Sequence, residues 1–396
     1  MRFEIALPHG ERFTRQVAGA VATVSLELSR CLEAMGHDVR VVTPRGPGEP
    51  LDGVNTRVLR YGTPRFRVTS LVQRVARRLA SRLRPNHSVG ALDGYRLQVV
   101  AAVSESRADV VIVHNEPALA ALLSQSVSAT VVLWLHNLMA GADARALAAL
   151  PQPVRIVCVS EAVREWTSRE LAVPVDRMTV IHNGVDPQRF KPATNAVAGG
   201  PGDRPLRVVL HGRIDPNKGQ ELAARTVAGL RAEGLQIELT LLGSVVTFGL
   251  SQTEQADFER RISEATRAAG AHVTGWVPSH EIPTRLGEFD VALVLPTAPD
   301  PFPLAGLEAM ASGLAVVAIP LGGVAEMVDG AALLVEPHEQ SVGAALRSLA
   351  ADPELLRLRQ RLSRERASSF TWPAAAEKLI AVLDLEDATR PGADPE

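Results

Sequence analysis

Apolar residues alternate from Arg2 to Leu7 and stop at Pro8, which predicts a short strand. From Ala20 to Met35 the period changes: Val21, Val24, Leu28 and Leu32 fall on one helical face, and Gly36 follows as a helix stop. Val39–Thr43 then reads as a second strand. Strand, helix, strand in this order predicts a parallel sheet covered by helices. Further buried strands are predicted at Asp109–Val113, Thr130–Leu135 and Arg155–Val159. The polar, Gly- and Pro-rich stretch 183–203 (NGVDPQRFKPATNAVAGGPGD) reads as a linker. A second series follows at Leu206–Leu210, Ile237–Leu242, His272–Thr274, Val291–Leu295 and Ala315–Ile319. The pattern predicts an α/β protein of two doubly wound domains. In such sheets ligands bind at the C-terminal strand ends, so the cleft between two facing domains is the natural place for a site.

A length of 396 residues suits two domains of ordinary size. The net charge of −2 gives no global reason to expect nucleic acid as a partner. Cys31 and Cys158 sit in apolar contexts, without a disulfide framework or a metal-binding spacing. The opening MRFEIALPHG lacks the apolar run of a signal peptide, and no apolar run reaches the ~18 residues of a membrane span. A cytoplasmic protein is expected. One segment departs from this even picture. No acidic residue lies between Asp52 and Asp93, and residues 71–84 (LVQRVARRLASRLR) have the spacing of a basic amphipathic helix. It reads as a covering helix with arginines on its wet face, a peripheral membrane contact, or a lining for an acidic acceptor. Residues 386–396 read as a tail.

Two stretches carry candidate chemistry. In LRVVLHGRIDPNKGQ a strand ends, Gly212 turns the chain, and Arg213 and Lys218 stand on the loop before a helix. Two cations at a strand's C-terminal end suit a diphosphate, although loop cations are also commonly just solvated. No Walker pattern is present. In PDPFPLAGLEAMASG a strand runs into a proline-rich loop and then a helix, with Pro303 suited to its first turn. The free N–H groups of that helix end favour an anion. Glu308, about one turn in, either balances the helix dipole or accepts from hydroxyls such as those of a ribose. Asp300, ahead of the helix, could accept from sugar hydroxyls.

HGRIDPNKG together with PDPFPLAGLEAMASGLAVVAIPLGGVAEMV resembles the nucleotide-sugar site of the family 4 glycosyltransferases, retaining enzymes of the GT-B fold. Asp300 and Glu308 have the family's spacing of an acid, seven residues and a Glu, and Gly322 and Gly323 match its Gly-Gly. VIHNGVDPQRF, ADVVIVHNE, VVLWLHN, GHDVRVVTP and FTWPAAAEKLIAVL extend the resemblance over nearly the whole chain. It implies an N-terminal acceptor domain (1–190), completed by a crossover helix at 370–385, and a C-terminal domain for the nucleotide sugar (200–368). Arg213 and Lys218 would bind the diphosphate, Glu308 the ribose, and Asp300 the donor sugar, with Gly212, Phe302, Pro303, Leu304 and Ala305 around the phosphates. His136 would lie near the donor sugar, while His114 reads as a structural strand-end histidine. Gly19 and Ala20 stand where the family has a Gly-Gly before its first helix. No DxD pair suits a metal, so no metal or cofactor is expected.

The partners implied are a nucleoside diphosphate sugar, with UDP as the nucleotide, and a hydroxyl acceptor such as a natural product, glycan or lipid-linked sugar. Two features depart from the family: Asp300 stands for its usual Glu, and Pro303 for its usual Gly. The shorter acid and the missing amide leave the nucleotide site intact but alter the hexose site. A nucleotide-sugar 2-epimerase and an inactive homologue acting as a partner subunit are the rival readings.

Overall fold

The computed structural model describes residues 1–15, 19–60, 91–192, 204–246 and 250–387. The expected basic helix at 71–84, residues 193–203 of the expected linker and the tail from 388 lie outside the described residues. The chain divides into two compact units: Met1–His182 with Trp372–Glu396, and Asn183–Thr371.

In the first unit the described elements are β1 (Arg2–Ala6), α1 (Ala20–Ala34), β2 (Asp38–Pro44), β3 (Asn55–Leu59), α2 (Ala91–Ser106), β4 (Val110–His114), α3 (Pro117–Ser124), β5 (Thr130–Leu135), α4 (Gly141–Ala148), β6 (Arg155–Cys158), α5 (Glu161–Leu171) and β7 (Met178–Val180). The seven strands are parallel, in the order β3-β2-β1-β4-β5-β6-β7. A strand covered on both faces needs apolar side chains in both directions. Every residue from Val110 to His114 is accordingly buried. On β1 the one acid, Glu4, is also buried, and pairs with Arg40 of β2 at 2.5 Å.

The second unit repeats the plan with β8 (Leu206–His211), α6 (Gln220–Ala232), β9 (Ile237–Leu242), α7 (Gln252–Ala269), β10 (His272–Val273), α8 (Ile282–Leu286), β11 (Val291–Val294), α9 (Leu304–Ala311), β12 (Ala315–Ala318), α10 (Val324–Val328), β13 (Leu333–Leu334), α11 (Glu339–Ala351) and α12 (Pro353–Ala367). Its six parallel strands run β10-β9-β8-β11-β12-β13. Val208, Leu239, Val291 and Val317 form its buried centre, with Val227 of α6 and Leu346 of α11 packed over them. Residues 183–192, expected as linker, are instead built into this unit. Val185 and Phe190 are buried, Val185 N–H donates to Phe370 O, and Arg364 donates to Phe190 O. Two apolar anchors in a polar stretch are enough to fasten it.

The chain ends its described course with α13 (Trp372–Asp387), which belongs to the first unit and packs on α1. It runs through residues 386 and 387, where the tail was expected to begin.

In each sheet the strand order reverses direction next to its first strand, between β1 and β4 and between β8 and β11. The loops leaving a parallel sheet diverge at such a point and leave a crevice.

Candidate active site

In the second unit, the loop between β8 and α6 is pinned before any side chain reaches outward. Ile214 bridges Val245, Asn217 N–H donates to Asp215 Oδ1 at 2.9 Å, and Gln220 Nε2 donates to Arg213 O at 2.7 Å. Thr297, on the loop after β11, donates its N–H to Asn217 O at 3.0 Å. Gly219 has φ +75°, and a Cβ there would lie 2.0 Å from Leu295 O, so only glycine lets the two loops meet. The result places Lys218 Nζ 2.5 Å from Asp300 Oδ2. Arg213 lies half exposed, with its guanidinium 3.6 Å from Asp215 Oδ2.

Asp300 is held through its backbone as well. It bridges Gly322, and Gly323 N–H donates to Asp300 O at 2.7 Å. Gly322 has φ +71°, and a Cβ would stand 2.4 Å from Asp300 O. The Gly-Gly turn is therefore the seat of the acid. Phe302 turns inward, buried edge-on against Phe370 with ring centroids 5.3 Å apart. Its side chain is a core anchor beside the loop.

Pro303 takes the N-cap of α9, one position earlier than expected, because its ψ of 109° is extended. No side chain caps α9, so the first N–H groups, from Leu304, Ala305 and Gly306, lack the partner a helix start ordinarily has. Glu308 lies one turn in, its Oε2 3.5 Å from Nδ1 of His211 at the end of β8. Burial pushes His211 down to about 4, against the pull of a hydrogen bond to the Ala305 backbone. The imidazole is therefore neutral near pH 7. Within one loop cluster the second unit thus gathers two cations, three carboxylates and an uncapped helix end. A separate hollow of about 480 Å³, lined by Thr240, Leu242, Thr274 and Trp276, shares no residue with it.

The crevice of the first unit has a different make-up. Nε2 of His136, just beyond β5, lies 2.8 Å from Nδ1 of His114 at the end of β4, and the two rings share a hydrogen bond. Asn115 between them takes a left-handed φ of 53°, and its Oδ1 accepts His136 N–H at 2.7 Å. Next to them Glu116 is nearly buried, accepting from His9 N–H at 2.7 Å and pairing with Arg96 at 3.2 Å. Gly19 is the N-cap of α1, and its N–H donates to Glu11 Oε1 at 2.8 Å. Ala20 is exposed beside it. A carboxylate of the chain itself already serves this helix end.

Three of these residues escaped the sequence reading. His211 and Glu116 stand within recognised stretches but carry no motif of their own, and Glu11 acts across a loop. His114, read as a structural strand-end histidine, is buried at the end of β4, and the fold adds its contact with His136. Among the described residues no group of three or more His, Cys, Asp or Glu converges as a metal site would.

Residues 21–189 match Glycosyltransferase Family 4, and residues 195–367 match Glycosyl transferases group 1. The chain is 31% identical to a glycogen synthase from Mycobacterium tuberculosis over 72% of this chain and 70% of the relative. It is 32% identical to an alpha-maltose-1-phosphate synthase from Mycolicibacterium smegmatis over 57% of this chain, and there it spans only 62% of the relative's length. The fold is similar to that of HepE from Anabaena in complex with UDP and glucose, with a TM-score of 0.73, 17% identity, and 97% and 99% of the two chains covered.

Proposed function

The chain belongs to the family 4 glycosyltransferases of GT-B fold, and from that premise we propose that it moves a glycosyl group from a UDP-sugar to a neutral hydroxyl, with retention. The observation that carries this reading is the loop cluster of the second unit. An uncapped helix start, Lys218 and Arg213 offer positive potential for a diphosphate, and Glu308 offers an acceptor for ribose hydroxyls. UDP is the nucleotide in the similar HepE structure, which supports that choice of base.

Cleaving a glycosyl–phosphate bond leaves negative charge on the diphosphate and positive character on the sugar. Groups that bind more strongly as that charge develops accelerate the step. Arg213 can grip phosphate oxygens with paired N–H donors, and Lys218 adds a point charge. Asp300 already sits against Lys218, so the lysine is held in extended reach rather than left to wander. The same carboxylate has a second oxygen with which to accept from a sugar hydroxyl. Because Asp is one methylene shorter than Glu and its backbone is fastened to Gly322 and Gly323, its reach is set by the loop and not by side-chain adjustment. That favours a donor sugar held closer to the loop, or one with its hydroxyl oriented differently, than a glutamate would select. Pro303 contributes no N–H, so the anion-binding donors begin at Leu304.

With a leaving phosphate on the same face as the incoming hydroxyl, the phosphate itself is the group placed to take the acceptor's proton. The Glu11 carboxylate at the start of α1 disfavours a phosphorylated acceptor there and supports a neutral one. Calorimetric titration of UDP and GDP into the wild type and into the Arg213→Ala, Lys218→Ala double variant tests the reading. One nucleotide should bind the wild type and be lost from the variant; binding of neither, or equal binding to both proteins, overturns it.

A further inference from the structure

His114 and His136 share one hydrogen bond, and its surroundings decide which ring supplies the proton. Nδ1 of His114 and Nε2 of His136 lie 2.8 Å apart. Two neutral imidazoles can make that bond in two ways. In the first, His114 carries its proton on Nδ1 and donates it, its own Nε2 is a bare lone pair, and His136 carries its proton on Nδ1. In the second, His136 donates from Nε2, and His114 must carry its proton on its own Nε2.

The two arrangements differ in what they bury. His114 is wholly buried, and its Nε2 has no partner among the described residues. The second arrangement seals an N–H with nothing to accept it, whereas the first seals only a lone pair. Folded interiors tolerate an under-used acceptor better than an orphaned donor. The indole N–H of Trp134, whose ring centroid is 6.0 Å from that of His114, is also buried without an acceptor. A second orphaned N–H beside it would compound the cost.

The backbone is shaped to hold this bond. The left-handed turn at Asn115 lets its side chain accept the His136 N–H, while its own N–H donates to Trp134 O at 3.0 Å. The His136 ring is stacked on Trp134, 5.9 Å between centroids and 11° between planes. Burial pushes His114 down to about 3, and burial followed by the neighbouring His114 pushes His136 well below its usual range, so neither ring is charged near pH 7. As a whole residue His136 is only partly buried, unlike His114.

We propose that His114 is a positioning residue: by donating from Nδ1 to Nε2 of His136 it fixes His136 as the neutral Nδ1–H tautomer, a hydrogen-bond donor to a substrate hydroxyl oxygen. His136 in that form is neither acid nor base for the transfer. It recognises a sugar oxygen through one N–H of fixed direction. The word substrate rests on the transferase reading above; the tautomer does not.

Long-range proton–nitrogen correlation spectra of histidine-labelled protein test it directly, with His136 assigned by its loss in His136→Gln. In the wild type His136 should show a protonated Nδ1 and a bare Nε2, unchanged from about pH 5 to 8. His114→Leu removes the donor and should let His136 populate both tautomers. His114→Asn, whose side-chain amide can donate from nearly the same place, should restore the wild-type signature. With UDP-glucose as the probe, KM should rise about threefold in His114→Leu, part of the effect of one hydrogen bond, and return in His114→Asn. A wild-type His136 protonated on Nε2, or a signature indifferent to His114→Leu, overturns the proposal. Absence of turnover in a protein with the expected signature would instead sink the transferase reading and leave the positioning role standing.

Discussion

The two crevices sit at the same topological place in two sheets of the same kind, yet one gathers charges around an uncapped helix end and the other centres on a hydrogen-bonded pair of uncharged histidines, with its carboxylates already satisfied by the chain. In the second unit Lys218 meets Asp300, Arg213 meets Asp215, and Glu308 stands one turn into an uncapped helix. In the first, His114 and His136 share a proton between uncharged rings, and the carboxylates of Glu116 and Glu11 are occupied by N–H groups of the chain. Fold alone therefore does not decide what a strand end does. The charged crevice is suited to a leaving group that gains charge, and the neutral one to reading hydroxyls whose charge does not change.

The contrast can be broken, and the heaviest blow should fall on the charged side. The Arg213→Ala, Lys218→Ala double variant should lower kcat/KM about a thousandfold, measured as nucleotide release, since in the proposed function each removed group stabilises the departing diphosphate. If His136→Gln costs as much, the two crevices do not divide the work as described. Acid stability comes next. His211 binds its proton more weakly in the folded chain, about 4 against 6.5, so between those values the unfolded chain holds more protons. Stability from this group is complete above pH 6.5 and is lost as pH falls toward 4, by roughly 3 kcal/mol in all. Urea denaturation across that window should show a shallower pH slope for His211→Asn; an unchanged slope would mean the ring is not held neutral.

A smaller effect is expected at Glu308. Glu308→Gln keeps the shape but weakens the acceptor, so UDP should bind about tenfold less tightly in calorimetry, while free pyrophosphate, which has no ribose, should bind no worse. Equal losses for both would move Glu308 from ribose to phosphate. The smallest effect sharpens the comparison best. His136→Gln should change KM for UDP-glucose only several-fold and leave its dependence on salt as in the wild type, because no charge is removed.

Much of this was legible in the sequence, for a physical reason. A strand covered on both faces, such as Thr130–Leu135, is a nearly continuous apolar run, and the partly alternating Ile237–Leu242 still carries four apolar residues in six; both begin and end where the pattern predicts. The strands that went unread are β3, β7 and β13. They lie at sheet edges, have two to five residues and bury few of them fully, so they carry little apolar signal. The loop residues of the second unit were legible because local spacing fixes them: Lys218 precedes a helix, and Asp300 and Glu308 flank one. What spacing cannot show is a contact across the sheet. Asp300 meeting Lys218, His211 meeting Glu308, and His114 meeting His136 each join residues from different strands, and only the strand order brings them together.

The chain's return to its first unit has a consequence for how the protein is made. Ala376, Leu379 and Leu383 of α13 are buried in a unit whose other residues end at His182, while the second unit is one unbroken stretch, Asn183–Thr371. During synthesis the second unit therefore emerges whole while α1 still waits for its covering helix. The part of the sequence translated first is the last to be finished, and until then its uncovered apolar face is the nascent chain's most exposed surface to chaperones and to misassembly.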